Sequence, residues 1–170
     1  MAAGFRKARE RAKALCKLNG VLNAPVPVER IAERLGAIIQ YEPFDIELSG
    51  WSFVKDGVIM IGVNAAHNVE RQRFTVAHEV GHLELHRARL EAEVHVDKGT
   101  LRHEIGAAET ADPMEMEANA FAAEFLMPAE FLKKTIAGRT LDLEDDALFG
   151  DIARRFKVTT AALRFRLQMD

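Results

Sequence analysis

The sequence predicts an α+β fold that is mostly helical, with a small β-sheet packed against one central helix. Apolar residues recur at three- and four-residue spacing through much of the chain, which is typical of amphipathic helices. Short apolar runs cluster over residues 37–64, and a long proline-free segment over residues 68–86 follows them. The length of 170 residues suits one domain, residues 1–170. We expect a core over about residues 25–130 and a helical C-terminal segment over about residues 131–170.

The composition is that of an ordinary soluble globular protein. The net charge of −3 gives no reason to expect nucleic acid or an anionic membrane as a direct partner. The single Cys16 excludes an internal disulfide and fits a reducing compartment. The first residues lack the apolar core of a signal peptide, and no apolar run approaches the length of a membrane span. We therefore expect a cytoplasmic protein.

The first predicted element is an amphipathic helix over residues 5–22. Its apolar positions share one face and are Ala8, Ala12, Leu15, Leu18 and Leu22. The other face carries the basic residues Arg6, Lys7, Arg9, Arg11, Lys13 and Lys17. This charge fits either a nucleic-acid patch or a solvated helix face, and the absence of a reader motif favours the solvated face.

A short helix, a strand and a hairpin are predicted next. After a proline-containing break over residues 23–27, residues 28–35 form a helix that Gly36 closes as a C-cap. Residues 37–41 are typical of a strand. Two further apolar runs flank Lys55-Asp56-Gly57, and Asp-Gly between apolar runs indicates a hairpin. These strands form the predicted sheet.

The central helix is predicted to start near Asn68 and to run to about His86. It contains His78-Glu79-Val80-Gly81-His82. Residues four apart share one helix face, so both imidazoles can point at a single ion. Glu79 is rotated by roughly 100° from His78 about the axis, which puts its carboxylate beside that ion, where it can take a proton from water. This pattern has that meaning in zinc metallopeptidases, although the bare motif also fits two histidines in a core.

The helix over residues 113–127 supplies a candidate third ligand. Asp112-Pro113 marks its start, and its apolar face is formed by Met114, Ala118, Phe121, Ala122, Phe125 and Leu126. Glu115 lies beside that face, where a carboxylate needs a partner or a metal because burying an unpaired charge is costly. Asn119, one turn on, can hold a ligand histidine in the correct tautomer. Glu117 and Glu124 lie on the opposite edge, where solvated carboxylates are expected.

The remaining segments are less informative. Residues 87–113 are polar and mixed, with a hairpin suggested over residues 93–103 and a loop over residues 106–113. The C-terminal part is predicted to be helical, with an acidic loop over residues 142–146 and apolar positions at Ile152, Phe156, Leu163 and Leu167. Val158-Thr159-Thr160 is typical of a turn between two short helices. Such a pair resembles a DNA-reading unit, but its place near the terminus favours a role in covering the core.

Two stretches together resemble a known family. The first is Arg73-Phe74-Thr75-x-Ala77-His78-Glu79-x-Gly81-His82-x-x-x-His86. The second is Glu115-x-Glu117-Ala118-Asn119-x-Phe121-Ala122-Ala123-x-x-Leu126-Met127-Pro128. In this order they resemble the ImmA/IrrE family of metallo-endopeptidases, over roughly residues 10–168.

The resemblance implies a zincin-like core and gluzincin-like chemistry. The family's ligand positions fall on His78, His82 and Glu115, and its catalytic glutamate falls on Glu79. Zinc is the implied cofactor, with manganese as an alternative. The implied partner is a helix-turn-helix repressor of the Xre type, often encoded nearby, whose cleavage relieves repression in a stress or mobile-element response.

The donor that would stabilise an oxyanion stays open. Its candidates, each of which also fits an ordinary surface or packing role, are Tyr41, His95, Arg102 and His103. His86 is a tempting fourth ligand, but a metzincin needs Gly at 85 and His at 88, where this chain has Leu85 and Ala88. We therefore expect His86 to end the helix or to support the site.

Two rival functions also stay open. One is a catalytically silent metal-binding module that regulates a repressor by docking. The other is a hydrolase with the same zinc chemistry and a non-peptide substrate. Three protein ligands leave a fourth position for water, which is the arrangement of catalytic zinc sites, so the sequence favours peptide hydrolysis.

Overall fold

The computed structural model describes residues 2–98, 112–138 and 145–169. The fold is α+β and mostly helical with one small sheet, which confirms the predicted class. The elements in chain order are α1 (Ala2–Leu18), α2 (Val28–Arg34), β1 (Ala37–Glu42), β2 (Gly50–Lys55), β3 (Val58–Asn64), α3 (Val69–Leu85), α4 (Arg87–Ala92), β4 (His95–Asp97), α5 (Pro113–Leu126), α6 (Ala129–Ile136), α7 (Asp146–Phe156) and α8 (Thr160–Gln168).

The sheet is mixed and has the strand order β1-β3-β2-β4. β1 runs parallel to β3, whereas β2 is antiparallel to both β3 and β4. The predicted hairpin joins β2 to β3 through Asp56 and Gly57, whose φ angles are 52° and 80°. Two residues with positive φ are what a type I′ turn requires, and its twist matches that of the strands it joins.

The inner face of the sheet packs against α3. Along β2, buried Gly50, Ser52 and Val54 alternate with the less buried Trp51 and Phe53. This alternation follows from the two-residue period of a strand. The inner face therefore presents Ser52, a polar residue, to the central helix.

Helix α3 forms the centre of the molecule, between the sheet and α5. Asn68 caps it by accepting a hydrogen bond from the backbone N–H of Arg71 at 2.9 Å. Every residue from Arg73 to Leu83 is buried. A Cβ atom at Gly50 would lie 2.5 Å from Cγ2 of Thr75, so β2 approaches α3 too closely for any other residue at that position.

Helix α1 ends earlier than the sequence predicted. It stops at Leu18, and Gly20 follows with a φ of 65°. A glycine in this left-handed conformation ends a helix readily. Leu18 and Leu22 are 83% and 76% exposed, so assigning them to the apolar face was wrong. The buried face consists of Ala8, Ala12, Leu15 and Cys16.

The segment after α3 differs from its prediction. Residues 87–92 form helix α4, supported by ion pairs from Arg87 to Glu91 at 3.0 Å and from Arg89 to Glu93 at 2.9 Å. Residues 95–97 form β4, which pairs with β2. The other arm of the predicted hairpin and the loop over 106–111 lie outside the described residues.

The C-terminal helices cover the core. Lys157, with a φ of 52°, separates α7 from α8, and Thr159 caps α8 by accepting from the N–H of Ala162. Phe156 and Leu163 are fully buried, and α8 packs against α5. Of the predicted acidic loop, Asp145 caps α7 and Asp146 is its first residue, while residues 142–144 lie outside the described residues. None of the described helices combines the length and apolarity needed to cross a bilayer.

Candidate metal centre

Helices α3 and α5 bring two imidazoles and one carboxylate together. The Nε2 atoms of His78 and His82 lie 3.0 Å apart. In Glu115, the atom Oε2 lies 3.3 Å from Nε2 of His78, and the atom Oε1 lies 3.3 Å from Nε2 of His82. Both histidines are buried. The three donors that the sequence predicted as ligands therefore form one small triangle.

The size of this triangle fits one metal ion. Zinc bonds of about 2.0–2.1 Å to nitrogen and oxygen in tetrahedral geometry place neighbouring ligand atoms ~3.3 Å apart. The two imidazole nitrogens are 3.0 Å apart, and each lies 3.3 Å from a different oxygen of Glu115. Two imidazole nitrogens and a carboxylate oxygen are also a donor set that zinc accepts. The residues present thus fit a metal ion such as zinc.

Asn119 lies behind the first of these histidines. Its Oδ1 is 2.9 Å from Nδ1 of His78. An amide oxygen can only accept a hydrogen bond, so Nδ1 of His78 carries the proton and donates it. Nε2 of His78 is then the nitrogen that faces the cluster, as the sequence-based expectation for Asn119 requires.

Glu79 lies beside the triangle and is fully buried. The hydroxyl of Ser52 donates a hydrogen bond of 2.5 Å to Oε2 of Glu79. Among the described residues, Oε1 of Glu79 is buried and has no hydrogen-bond partner. One oxygen of this carboxylate is therefore held by the sheet, and the other remains available.

The electrostatics of the cluster favour a bound cation. Burial raises the pKa of Glu79 to about 8, and the carboxylate of Asp97 acts in the same direction. Burial lowers the pKa of His82 to about 3, which keeps its imidazole neutral. Burial also opposes charge on His78 and Glu115, but the hydrogen bonds and opposite charges around these groups together outweigh it. The pKa of His78 rises to about 9, and that of Glu115 falls below its usual range. Three carboxyl groups, those of Glu79, Asp97 and Glu115, thus lie around two imidazoles, which is a set of side chains that suits a cation.

His95, on β4, also reaches the cluster. Its Nε2 is 3.5 Å from Oε1 of Glu115, and its ring centroid is 4.0 Å from that of His82. Its donor atom and those of His78, His82 and Glu115 all lie within 4.8 Å of one another. Of the four predicted candidates for an oxyanion donor, His95 is the one that the described structure brings to the site.

The other candidates have different positions. Tyr41 lies on β1, at the edge of the sheet opposite β4, where burial raises the pKa of its hydroxyl and the charge of Glu29 acts in the same direction. His86 ends α3 and places Nε2 3.6 Å from Oε2 of Glu117, which agrees with a helix-end role. Arg102 and His103 lie outside the described residues.

One carboxylate was misjudged from the sequence. Glu124 was expected in solvent, yet its side chain is 1% exposed. Its Oε2 lies 2.6 Å from Nη2 of Arg166 and 3.3 Å from Nε of Arg9. The reason is that α8 covers this side of α5 and supplies a partner from a distant part of the sequence.

Two residues at the site were not predicted at all. Ser52 contacts Glu79, and Asp97 lies with His78 and Glu79 in a second group whose donor atoms are within 4.8 Å of one another. Both occupy inner-face positions of strands, Ser52 on β2 and Asp97 on β4. No local signal could have found them, because the apolar residues that alternate with them, Trp51, Phe53 and Val96, are the ones that a strand pattern assigns to the core.

The fold and the cluster define a class of protein. A buried helix with two histidines and a glutamate, completed by a carboxylate from a second helix, is the arrangement of metal-dependent hydrolases. The model of the peptidase M78 family, described as the IrrE N-terminal-like domain, matches residues 32–168. The chain therefore belongs to this family, which confirms the resemblance seen in the sequence. A search of curated proteins finds no significant match. Family membership supports a metallopeptidase-type role with a protein substrate.

Proposed function

We propose that this chain is a zinc-dependent endopeptidase that cleaves a helix-turn-helix repressor of the Xre type and so relieves repression in a stress or mobile-element response. The observation that carries the enzymatic part is the triangle of His78, His82 and Glu115, whose nitrogens and carboxylate oxygens lie 3.0–3.3 Å apart; beside it, Glu79 has one oxygen without a partner in the part of the chain that the structure describes. The repressor is the substrate that the family resemblance implies.

In the proposed reaction, three residues bind the metal ion and a fourth transfers the proton. His78, His82 and Glu115 hold the ion, for which manganese is the alternative to zinc. When bound, zinc supplies Lewis acidity that brings the pKa of water toward neutrality and polarises a carbonyl. Glu79 accepts the proton of the attacking water through Oε1 and delivers it to the leaving amine. Burial raises the pKa of Glu79, which makes its carboxylate a stronger base.

His95 is the proposed donor to the oxyanion. Its Nε2 lies 3.5 Å from Oε1 of Glu115, its donor atom is within 4.8 Å of those of the three proposed ligands, and its side chain is almost fully buried. A donor held in a buried site contributes more to stabilising developing charge than one in water. His95→Ala should lower kcat by about 10²–10³-fold and leave zinc content unchanged; loss of zinc would instead make His95 a fourth ligand.

The first experiment uses Glu79→Gln. This variant should bind zinc as the unsubstituted protein does and should leave candidate repressors intact, because the amide cannot accept the proton. Purified protein is incubated with Xre-type repressors, and new termini are mapped by mass spectrometry. Tight repressor binding without cleavage by either protein would favour the silent docking module. If no protein is cut but other substrates are hydrolysed, the non-peptide hydrolase is favoured.

The second experiment tests the choice of carboxylate. Glu115→Ala should lose zinc, because it removes one of three ligands. Glu117→Ala is the matched control on the same helix, since Glu117 pairs with His86 and stands outside the triangle. Metal content is measured by inductively coupled plasma mass spectrometry. Zinc retained in Glu115→Ala and lost in Glu117→Ala would reverse the assignment.

A further inference from the structure

The fold places a serine hydroxyl under the central helix, where strand alternation calls for an apolar side chain. Ser52 is 1% exposed and points to the same side of β2 as buried Val54. Its Oγ donates to Oε2 of Glu79 at 2.5 Å. A hydroxyl buried without a partner is costly, so this contact is what permits a serine at the position.

We propose that Ser52 is the positioning residue that sets which oxygen of Glu79 faces the substrate water. This inference rests on the proposed function of Glu79 as a general base. The Ser52 hydroxyl occupies Oε2 and fixes the plane of the carboxylate. Oε1, which has no partner among the described residues, is then the oxygen that takes the proton.

The surrounding fold holds Ser52 rigidly. Its backbone lies in the sheet between Ile61 of β3 and His95 of β4. Two residues away, Gly50 allows β2 to contact α3 so closely that a Cβ atom there would clash with Thr75. The distance between strand and helix is therefore set by packing, and the hydroxyl reaches Glu79 without loop motion. Such support from rigid elements is what a site needs to hold a group within about 0.5 Å of its working position.

The pairing of β2 with β4 also places Ser52 next to another residue of the candidate site. Ser52 and His95 are direct partners across β2 and β4, and both point to the inner face. Strands β2 and β4 thus place the hydroxyl of Ser52 next to Glu79 and the imidazole of His95 next to the triangle of proposed ligands. A change at Ser52 that left the sheet intact should affect Glu79 and leave the ligands in place.

The kinetic test compares Ser52→Ala with Ser52→Thr, which keeps the hydroxyl, and with Ser52→Cys, which replaces the hydroxyl with a larger thiol that donates weakly. We expect kcat to fall by about 10–100-fold in Ser52→Ala with KM and zinc content unchanged. We expect kcat to be highest with Ser or Thr at position 52, lower with Cys and lowest with Ala. Ser49→Ala is the matched control, because Ser49 is buried nearby and bonds to Arg71 rather than Glu79. An unchanged kcat in Ser52→Ala, or a loss of zinc in it, would overturn the inference.

A second measurement does not depend on activity. The shift in Tm caused by Ser52→Ala is measured in the unsubstituted protein and in a Glu79→Ala background. If the two side chains are coupled, the shift differs between the backgrounds, whereas equal shifts contradict the contact. If the unsubstituted protein cleaves no protein substrate, the proposed function fails while this cycle still decides whether Ser52 and Glu79 interact.

Discussion

At the scale of single residues, the residues of the sequence motif on the central helix have two different roles. His78, Glu79 and His82 belong to the candidate metal centre, whereas Arg73 holds the helix in place. The guanidinium of Arg73 donates to the carbonyl oxygen of Val26 at 2.8 Å and to that of Lys157 at 3.2 Å. It therefore ties α3 both to the break before α2 and to the turn between α7 and α8. A buried arginine with these partners supports the site from a distance.

The role of Asn119 leads to a prediction about metal affinity. Asn119→Ala removes the acceptor 2.9 Å from Nδ1 of His78, so the imidazole loses the bond that fixes its tautomer and orientation. Zinc affinity should fall by about 10–100-fold, measured by competition with a chelator. Asn19→Ala is the control, because Asn19 bonds to the backbone at the end of α1. Equal affinities in the two variants would show that Asn119 does not orient the ligand.

Cys16 gives a prediction about pH. Burial raises the pKa of its thiol from 9.0 to about 12, and the charge of Glu124 adds to this effect. Because the folded pKa is raised, the thiol stays neutral in the native state at pH values where the unfolded chain forms thiolate. Native protein should resist iodoacetamide between pH 7 and 9, and protein in urea should react faster as the pH rises through that range. Rapid alkylation of the native protein at pH 8 would contradict the buried position.

At the scale of elements, helices with clear ends could be predicted from the sequence. Asn68 and Asp112 are capping residues, and each accepts a hydrogen bond from the first turn of its helix. The hairpin could also be predicted, because Asp56-Gly57 is itself a pair of turn-forming residues. The strand order could not be predicted, because β4 has three residues and is defined by pairing with β2. His95 therefore reached the site through a contact that no local pattern contains.

The contact between α3 and α5 gives a prediction about two glycines. A Cβ atom at Gly81 would lie 3.2 Å from both Cα and O of Ala118, whereas one at Gly150 in α7 would meet nothing within 4 Å. Gly150→Ala should raise the free energy of unfolding by about 0.5–1 kcal/mol through helix propensity. Gly81→Ala should gain less and should weaken zinc binding, because α5 carries Glu115 and must move away.

Urea denaturation and chelator competition measure the two effects. Equal stabilisation by both substitutions, together with unchanged zinc affinity in Gly81→Ala, would show that Gly81 does not set the spacing of the helices. The comparison is well matched because each glycine lies inside a helix.

At the scale of the whole molecule, a buried ion pair joins distant helices. Glu124 of α5 contacts Arg166 of α8 and Arg9 of α1. Glu124 also accepts a hydrogen bond from the N–H of Ala129 at 3.1 Å. The helical projection of α5 placed Glu124 on the outside, since it describes one helix and not what packs against it. This error, like the missed Ser52, arose where the environment of a residue is made by tertiary contacts.

The ion pair carries the last prediction, which concerns stability. Arg166→Ala should lower the free energy of unfolding by about 3–5 kcal/mol, because it leaves the Glu124 carboxylate buried without its closest cation. Arg9→Ala is the matched control on the same carboxylate. Its side chain is 24% exposed and its contact is longer, at 3.3 Å, so water can replace it at a cost of about 1 kcal/mol or less.

Urea denaturation gives both values from the midpoints, provided that the slopes agree. The double variant Glu124→Gln with Arg166→Met should recover much of the loss, since it removes both charges instead of stranding one. If Arg166→Ala and Arg9→Ala lower the free energy of unfolding equally, the two cations stabilise the Glu124 carboxylate to the same extent. The burial of the Arg166 pair would then not be what holds α8 to α5.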